Sequence, residues 1–528
     1  MVMSNTTKEK ELKEKRMFVG IVWNCAAELK LICTALLFLS SLAIVLQFVP
    51  YNFLDYNSWQ NQVSSSINSS SNFLDSNSMQ NEVNSSVNSS SNFLDSNSLQ
   101  NEVNSSVNSS SNQQKIRTRD EVLNDGVLKR GFEPYGSAAY NFILMSAYRG
   151  GADTFAVVGL SSKPLHLHGK PTYQCVWIPR ENPENQISVS GYKILPDWGY
   201  GRIYTVVVVN CTFQTPVGEN GHGGQLIIEA ATNDPGLNTT DNILALDETP
   251  QNFSKFKSDF NSPRPKYDYL YCGSSLYGNL SPQRVREWLA YHVRLFGERS
   301  HFVIHDAGGV HEGVKEVLKP WMEKGFVTLQ DIRDQERFDG YYHNQFLIVN
   351  DCLHRYRFET QWMFFFDVDE FIFVQNKNTI KSVLDSLSDS TQLTFEQMTM
   401  SNKLCLSQDA PTYRKWGFEK LVYKDVKRGI RRDRKYAIQP RNVFATGVHM
   451  SQNMIGKTTH KTEGRIKYFH YHGTIAERRE PCRQLINSTS ITVDRTPYVI
   501  DTTLRDIAGS VKRFELKMIG SRLQRTRQ

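Results

Sequence analysis

The sequence predicts a chain of mixed class: an N-terminal transmembrane helix, a β-sandwich, and an α/β domain on a largely parallel sheet. Three observations lead there. One apolar run near the N-terminus carries no charge, a later stretch holds short β-prone segments split by Gly, Pro and Asn, and a regular alternation of strand and helix patterns follows it.

The apolar run is residues 31–49 (LICTALLFLSSLAIVLQFV), 19 residues and long enough to cross a bilayer core. Lys8, Lys10, Lys13, Lys15, Arg16 and Lys30 precede it, and no Lys or Arg follows until Lys115. That asymmetry predicts a cytoplasmic tail (1–30), a signal anchor and a lumenal remainder, the type II layout. A cleaved signal peptide fits less well, because the run exceeds an ordinary h-region and no small-x-small site follows. Residues 52–111 are three copies of a 20-residue unit, the last reading NFLDSNSLQNEVNSSVNSSS. Each unit is mostly Ser and Asn and cannot bury enough surface to offset chain entropy, so residues 50–118 read as a disordered stem rather than a solenoid.

Six cysteines follow the anchor: Cys175, Cys211, Cys272, Cys352, Cys405 and Cys482. In an oxidising compartment they allow up to three disulfides. No CxxC neighbour marks a zinc site, and sequons from Asn68 to Asn487 suit a protein of the secretory pathway. A net charge of +7 over 528 residues is mild, and no zinc-finger spacing, phosphate-cradling loop or basic-aromatic motif points to nucleic acid.

Residues 119–260 hold β-prone runs at 155–158, 173–178, 203–209 and 225–229, the pattern of a β-sandwich. Cys175 and Cys211 lie on two of them and form a plausible pair. Trp177, Tyr192, Trp198, Tyr200 and Tyr204 make a carbohydrate-binding surface conceivable. Core packing is the commoner use of a single aromatic, but Tyr192, Trp198 and Tyr200 share a Gly/Pro-rich loop. A Pro-rich joint at 261–265 then gives way to an α/β domain over 266–515, with a basic tail at 516–528. Strands are predicted at 267–272, 301–305, 327–329 and 362–367, and helices at 281–295, 310–324 and 343–356.

The segment WMFFF, 362–366, is apolar throughout, as for a strand buried on both faces, and it ends in Asp367-Val368-Asp369-Glu370 before FIFV resumes. Three carboxylates in four residues are expensive to bury unless a cation neutralises them, and a hard divalent ion would supply that charge. An Asp-x-Asp that holds a metal against a nucleotide diphosphate is a recurring device of nucleotide-sugar transferases. A lone DxD is weak evidence; between buried strands, on the lumenal side of an anchor, it is strong. Ligands of such sheets bind at the carboxyl ends of the strands, where this motif sits.

The segment WMFFFDVDEFIFV, together with YLYCGSS at 269–275, HFVIHDAGG at 301–309 and KWGFEK at 415–420, resembles the signature of glycosyltransferase family 92. The likeness spans about residues 120–515, and with its β-rich module the layout is similar to the plant members of that family that extend galactan. The resemblance implies a GT-A fold and an N-terminal carbohydrate-binding module. It implies UDP-galactose as donor, Mn2+, inversion at the anomeric carbon, a β-1,4-galactan acceptor on pectin and a Golgi membrane location. Homodimer formation is an added expectation from the type II layout.

On that footing Asp369 binds the metal directly, and Asp367 binds ribose or the metal through water. His470 is the late histidine ligand, with His472 beside it and His449 a poorer choice. Glu419 is the candidate general base, with Glu396 and Asp409 as alternatives. Asp306, Tyr341 and Asn344 are candidate nucleotide contacts, with His343 and Gln345 near them. The stretch 424–441 carries eight Lys/Arg and either guides an acidic acceptor or is a solvated face. Two other readings compete: a transferase of the same fold with another donor or acceptor, and a lumenal glycan-binding scaffold with an inactive transferase domain.

Overall fold

The computed structural model describes residues 120–526, apart from 132, 135–139, 163–170, 200–203, 235–236, 338–341, 376, 410–414, 430–432, 463, 477–480 and 525. The expected anchor, stem and repeats lie outside the described residues. No described helix is long and apolar enough to cross a membrane.

Two antiparallel sheets form the N-terminal β-rich region. One has the order β3-β4-β5-β9-β8, from Glu133–Pro134 (β3), Phe142–Arg149 (β4), Thr154–Ser162 (β5), Tyr192–Ile194 (β8) and Tyr204–Thr212 (β9). The other has the order β11-β10-β6-β7, from Thr172–Pro179 (β6), Ile187–Ser190 (β7), Gly224–Asp234 (β10) and Leu237–Glu248 (β11). Phe142, Leu144, Phe155, Val157, Val207 and Val209 of the first sheet pack on Tyr173, Trp177, Leu226, Ile228 and Ile243 of the second. The disulfide Cys175–Cys211 ties β6 to β9 across that core.

The first sheet is buried on its other face too. Ile143, Met145, Ala156, Val158, Val206 and Val208 pack against Leu347, Ile348 and Val349 of a helix in the following domain. This explains why β4 reads as a continuous apolar run and gave no alternating signal: neither of its faces meets water. The aromatics divide accordingly. Trp177 and Tyr204 are core, whereas Tyr192 and Trp198 are exposed; Tyr200 lies outside the described residues.

Helix α1 (Pro250–Asn261) leads into the large mixed sheet. Its first four core strands, Tyr267–Leu276 (β12), Ser300–Asp306 (β13), Val327–Asp331 (β14) and Thr360–Phe365 (β15), pair in parallel in the order β14-β13-β12-β15. Helices α2 (Pro282–Phe296), α3 (Glu312–Glu323) and α4 (Gln345–Tyr356) connect them. Ser281 caps α2 by accepting the Arg284 N–H, with Pro282 at the first helical position, as the sequence suggests. Beyond β15 the sheet turns mixed, with Arg434–Ile438 (β18), Gln392–Thr399 (β17), Ile466–His470 (β19) and Glu370–Val374 (β16) in that order.

Two departures concern where domains begin and end. Residue 119 is the expected start of the sandwich, yet Glu121–Val122 (β1) and Leu128–Lys129 (β2) form a hairpin whose second strand pairs in parallel with β14. Residues 516–528 are the expected basic tail, yet helix α6 runs Thr503–Ile519 and buries Leu504, Ala508, Val511, Glu515 and Ile519 at helical spacing. Leu523 is buried beyond it. Disulfides Cys272–Cys352 and Cys405–Cys482 complete three pairs among the six cysteines of the described residues.

Candidate active site

Strand β15 stops at Phe365, and Asp367 to Asp369 form a turn before β16 starts at Glu370. The register of β16 on β19 pairs Glu370 with His470, so the late histidine is delivered to the Asp-x-Asp turn by strand pairing. His470 Nε2 lies 3.6 Å from Asp369 Oδ1, and its Nδ1 is 2.8 Å from the Gln397 amide nitrogen. The Asp369 carboxylate also accepts the Gly473 N–H at 2.9 Å. His472 lies past the end of β19 and is exposed, its ring 5.3 Å from that of His470.

The three neighbouring carboxylates are unequal. Asp367 accepts from Lys435 Nζ at 2.9 Å and from the Gln345 amide at 3.4 Å. Burial works against its charge, but the Lys435 ammonium prevails and holds the carboxyl at about 2. Glu370 is buried and accepts the Asp367 N–H at 2.7 Å; burial pushes its carboxyl up to about 8 against the pull of Lys435 at 3.8 Å. Burial disfavours a charged His470, yet Asp369, with Glu370 and Asp367 behind it, lifts the imidazole to about 9. Lys435 itself is pulled to greater basicity by the carboxylates around it, despite its burial. Part of the neutralisation expected of a metal is thus done by Lys435.

Asp369 and His470 are the side chains able to share one cation. Among the described residues no third His, Cys, Asp or Glu joins them as a ligand. A hard divalent ion held by one or two protein groups takes its remaining oxygens from phosphate and water, so the pair suits an ion that arrives with a diphosphate.

The other candidates occupy varied settings. Glu419 sits in the short helix α5 (Gly417–Lys420), where its carboxylate accepts the Trp416 N–H at 3.1 Å and pairs with Lys512. The turn before it is fixed from α2. Glu287 accepts the Gly417 N–H at 2.8 Å, and a Cβ on Gly417 would lie 1.1 Å from Arg284 Nη1, so a larger residue there would have to displace the Arg284 guanidinium from Glu287. Asp409 is fully buried between Lys415 and Arg505, a structural ion pair. Glu396 is exposed and 3.7 Å from Arg434. His449 Nδ1 contacts the Arg434 carbonyl at 3.2 Å and does not reach Asp369 by any described contact.

Asp306 accepts the N–H groups of Gly308 and Val310 and so builds its own turn, two strands from Asp367 or about 10 Å at ordinary sheet spacing. Asn344 is buried, its amide donating to the Gln335 carbonyl at 2.7 Å, and its neighbour Gln345 is the residue that touches Asp367. Tyr341 lies outside the described residues. Tyr342, His343 and Asn344 are all left-handed (φ 52°, 51° and 57°), an uncommon run of strained non-glycine residues at the start of α4. The His343 ring stacks on Tyr277 at 3.7 Å, beside the carboxyl end of β12.

Sequence reasoning missed Lys435 and Gln397. Lys435 looked like one more charge in a basic run, though its two-residue spacing from buried Ala437 puts it on an inward face.

Residues 267–513 match the profile of glycosyltransferase family 92. The chain is 57% identical over 529 residues, 99% of each chain, to the galactan beta-1,4-galactosyltransferase GALS3 of Arabidopsis thaliana. It is 56% identical, again over 99% of each chain, to GALS2 of the same name and species. With GALS1 the identity is 53% over 399 residues, 74% of this chain and 79% of the relative.

Proposed function

The chain is a glycosyltransferase belonging to family 92, and we propose that it transfers galactose from UDP-galactose to the O4 of the terminal galactose of β-1,4-galactan. The observation that carries the chemistry is the Asp369–His470 pair at 3.6 Å, set at the end of a strand beside a lysine-held Asp367. Galactose and galactan rest on the names and high identity of the relatives.

Asp369 and His470 would hold a divalent cation, Mn2+ in this reading, which neutralises charge developing on departing UDP. Asp367, pinned by Lys435 and Gln345, would bind ribose, or the metal through water, in this reading. In the inverting step the acceptor O4 forms a bond to the anomeric carbon while the bond from that carbon to the diphosphate oxygen breaks. The O4 proton passes to a base and the electron pair leaves with UDP. Glu419 is the proposed base; the capping contact and Lys512 orient its carboxylate, and releasing that salt bridge would free it to take a proton. The fold is read as GT-A, the two-sheet region as a glycan-binding module, and the location as a Golgi membrane reached through the 31–49 anchor.

The test is transfer from UDP-galactose to a short β-1,4-galactan, with and without Mn2+. Elongation that chelator abolishes and Mn2+ restores is expected. Elongation with another UDP-sugar alone would favour the same fold with a different donor. Galactan binding without elongation would favour an inactive scaffold.

A further inference from the structure

A cleft of about 420 Å3 opens beside the carboxylate–histidine cluster, between the end of β17 and residues 424–427 and 433–434. Its volume is in the range of ordinary ligand sites. Gln397 lines it and contacts His470 at 2.8 Å; Arg434 lines it, and the next residue, Lys435, holds Asp367 at 2.9 Å. A molecule in this cleft therefore sits one side chain, Gln397, away from His470.

The charges of the cleft choose among ligands. The basic stretch contributes Lys424, Lys427 and Arg434, but Glu396, Asp425 and Asp433 line the same space. Lys424 is bound to Asp501 at 2.8 Å, and Arg434 donates to Thr394 and to the His460 carbonyl while facing Glu396 at 3.7 Å. Among the described lining residues the three cations are matched by the three carboxylates, so this lining carries no net positive charge to select a polyanion. Exposed Glu396 and Asp433 are acceptors suited to pairs of hydroxyl groups, and exposed Val426 offers an apolar edge for a sugar C–H face.

We propose that this cleft, joined to the site through Gln397, is the acceptor subsite and seats the end of a neutral, hydroxyl-rich oligosaccharide. It rests on the transferase reading above, and adds where the acceptor lies and which charge class is accepted. A polyuronate would bring like charge against Glu396 and Asp433, which disfavours it relative to a neutral chain.

The full chain is assayed with UDP-galactose and a neutral β-1,4-galacto-oligosaccharide. Two variants are compared with wild type, the Glu396→Gln/Asp433→Asn double substitution and Val426→Trp, which fills the cleft from an exposed position. The acceptor KM is expected to rise about tenfold in each, the loss of roughly one good polar contact, with UDP affinity within about twofold. An unchanged acceptor KM in both variants overturns the proposal. So does an oligogalacturonide that competes as strongly as the neutral chain. NMR titration with the neutral oligosaccharide separates this proposal from the one it rests on. Binding weakened by both variants, in a wild type that never transfers galactose, would support the cleft and overturn the functional reading.

Discussion

Asp351 and Asp369 are both enclosed carboxylates on the same α/β framework, and they are treated in opposite ways. Asp351, on α4, accepts from the Arg130 guanidinium (2.9 Å to Nη2), the Ser146 hydroxyl at 2.5 Å and the Tyr148 hydroxyl at 2.6 Å. Arg130 follows the β1–β2 hairpin, and Ser146 and Tyr148 lie on β4, so this one carboxylate fastens three parts of the chain. Burial alone would raise its pKa, but the two nearby arginines and the hydroxyls drive it well below the usual carboxylate range. Asp369 has one backbone donor and a histidine at a distance too long for a hydrogen bond. A carboxylate whose partners are all supplied by the chain is structural; one left partly open at a strand end is available to something that arrives later.

The comparison breaks first at Asp369. Asp369→Asn is expected to lower transfer about 10³-fold, several kcal/mol of lost metal stabilisation, with little change in the urea midpoint. A fall in stability matching the fall in rate would make Asp369 as structural as Asp351. Asp351→Asn should do the reverse. It leaves buried Arg130 with only the half-buried Asp120 as charge partner, a loss of about 3 kcal/mol in unfolding free energy, while kcat of the folded fraction stays near wild type. Glu419→Gln tests the base, with a loss of about 10²-fold or more in transfer and nearly intact UDP binding by calorimetry. Near-normal transfer would leave Glu419 as a helix cap paired with Lys512 and nothing more. Lys435→Gln removes the cation beside Asp367 and should make stability lean on added metal, with Mn2+ raising the melting temperature by about 2 °C more than in wild type.

The smallest effect is a pH dependence of the closed interior. Burial pushes His301 down to about 4 and His292, His305 and His354 to about 3. Below the unfolded value of about 6.5 the unfolded chain binds more protons than the folded one, so stability falls as pH drops. His470 and Glu370, raised to about 9 and about 8, act in the opposite sense and offset part of this loss, so going from pH 6.5 to 6.0 should cost about 1 kcal/mol net, read from denaturant midpoints at the two pH values. A flat profile would mean that these rings are not held neutral.

Much of this arrangement is legible in the sequence. The strand ending in Asp367 and helices α2, α3 and α4 follow from local patterns, because apolar runs, caps and periodicity act over a few residues. The disulfide Cys175–Cys211 follows from two neighbouring strand patterns. What is illegible comes from distant partners. Lys512 reaches Glu419 from 93 residues away, and Arg130 reaches Asp351 from 221. Nothing within a short window tells that Asp306 and Asp409 are consumed by local turns and ion pairs while Asp369 is not. The β1–β2 hairpin is too short to announce its partner sheet.

That hairpin also changes what can be cut from the molecule. The chain contributes an edge strand to the transferase sheet at Leu128–Lys129, departs to build both sheets of the sandwich, and returns at Tyr267. The transferase is therefore discontinuous in sequence, and the sandwich is an insertion within it, not a cassette placed ahead of it. A fragment starting at residue 131 would strip a strand from one domain and the Arg130 clamp from both.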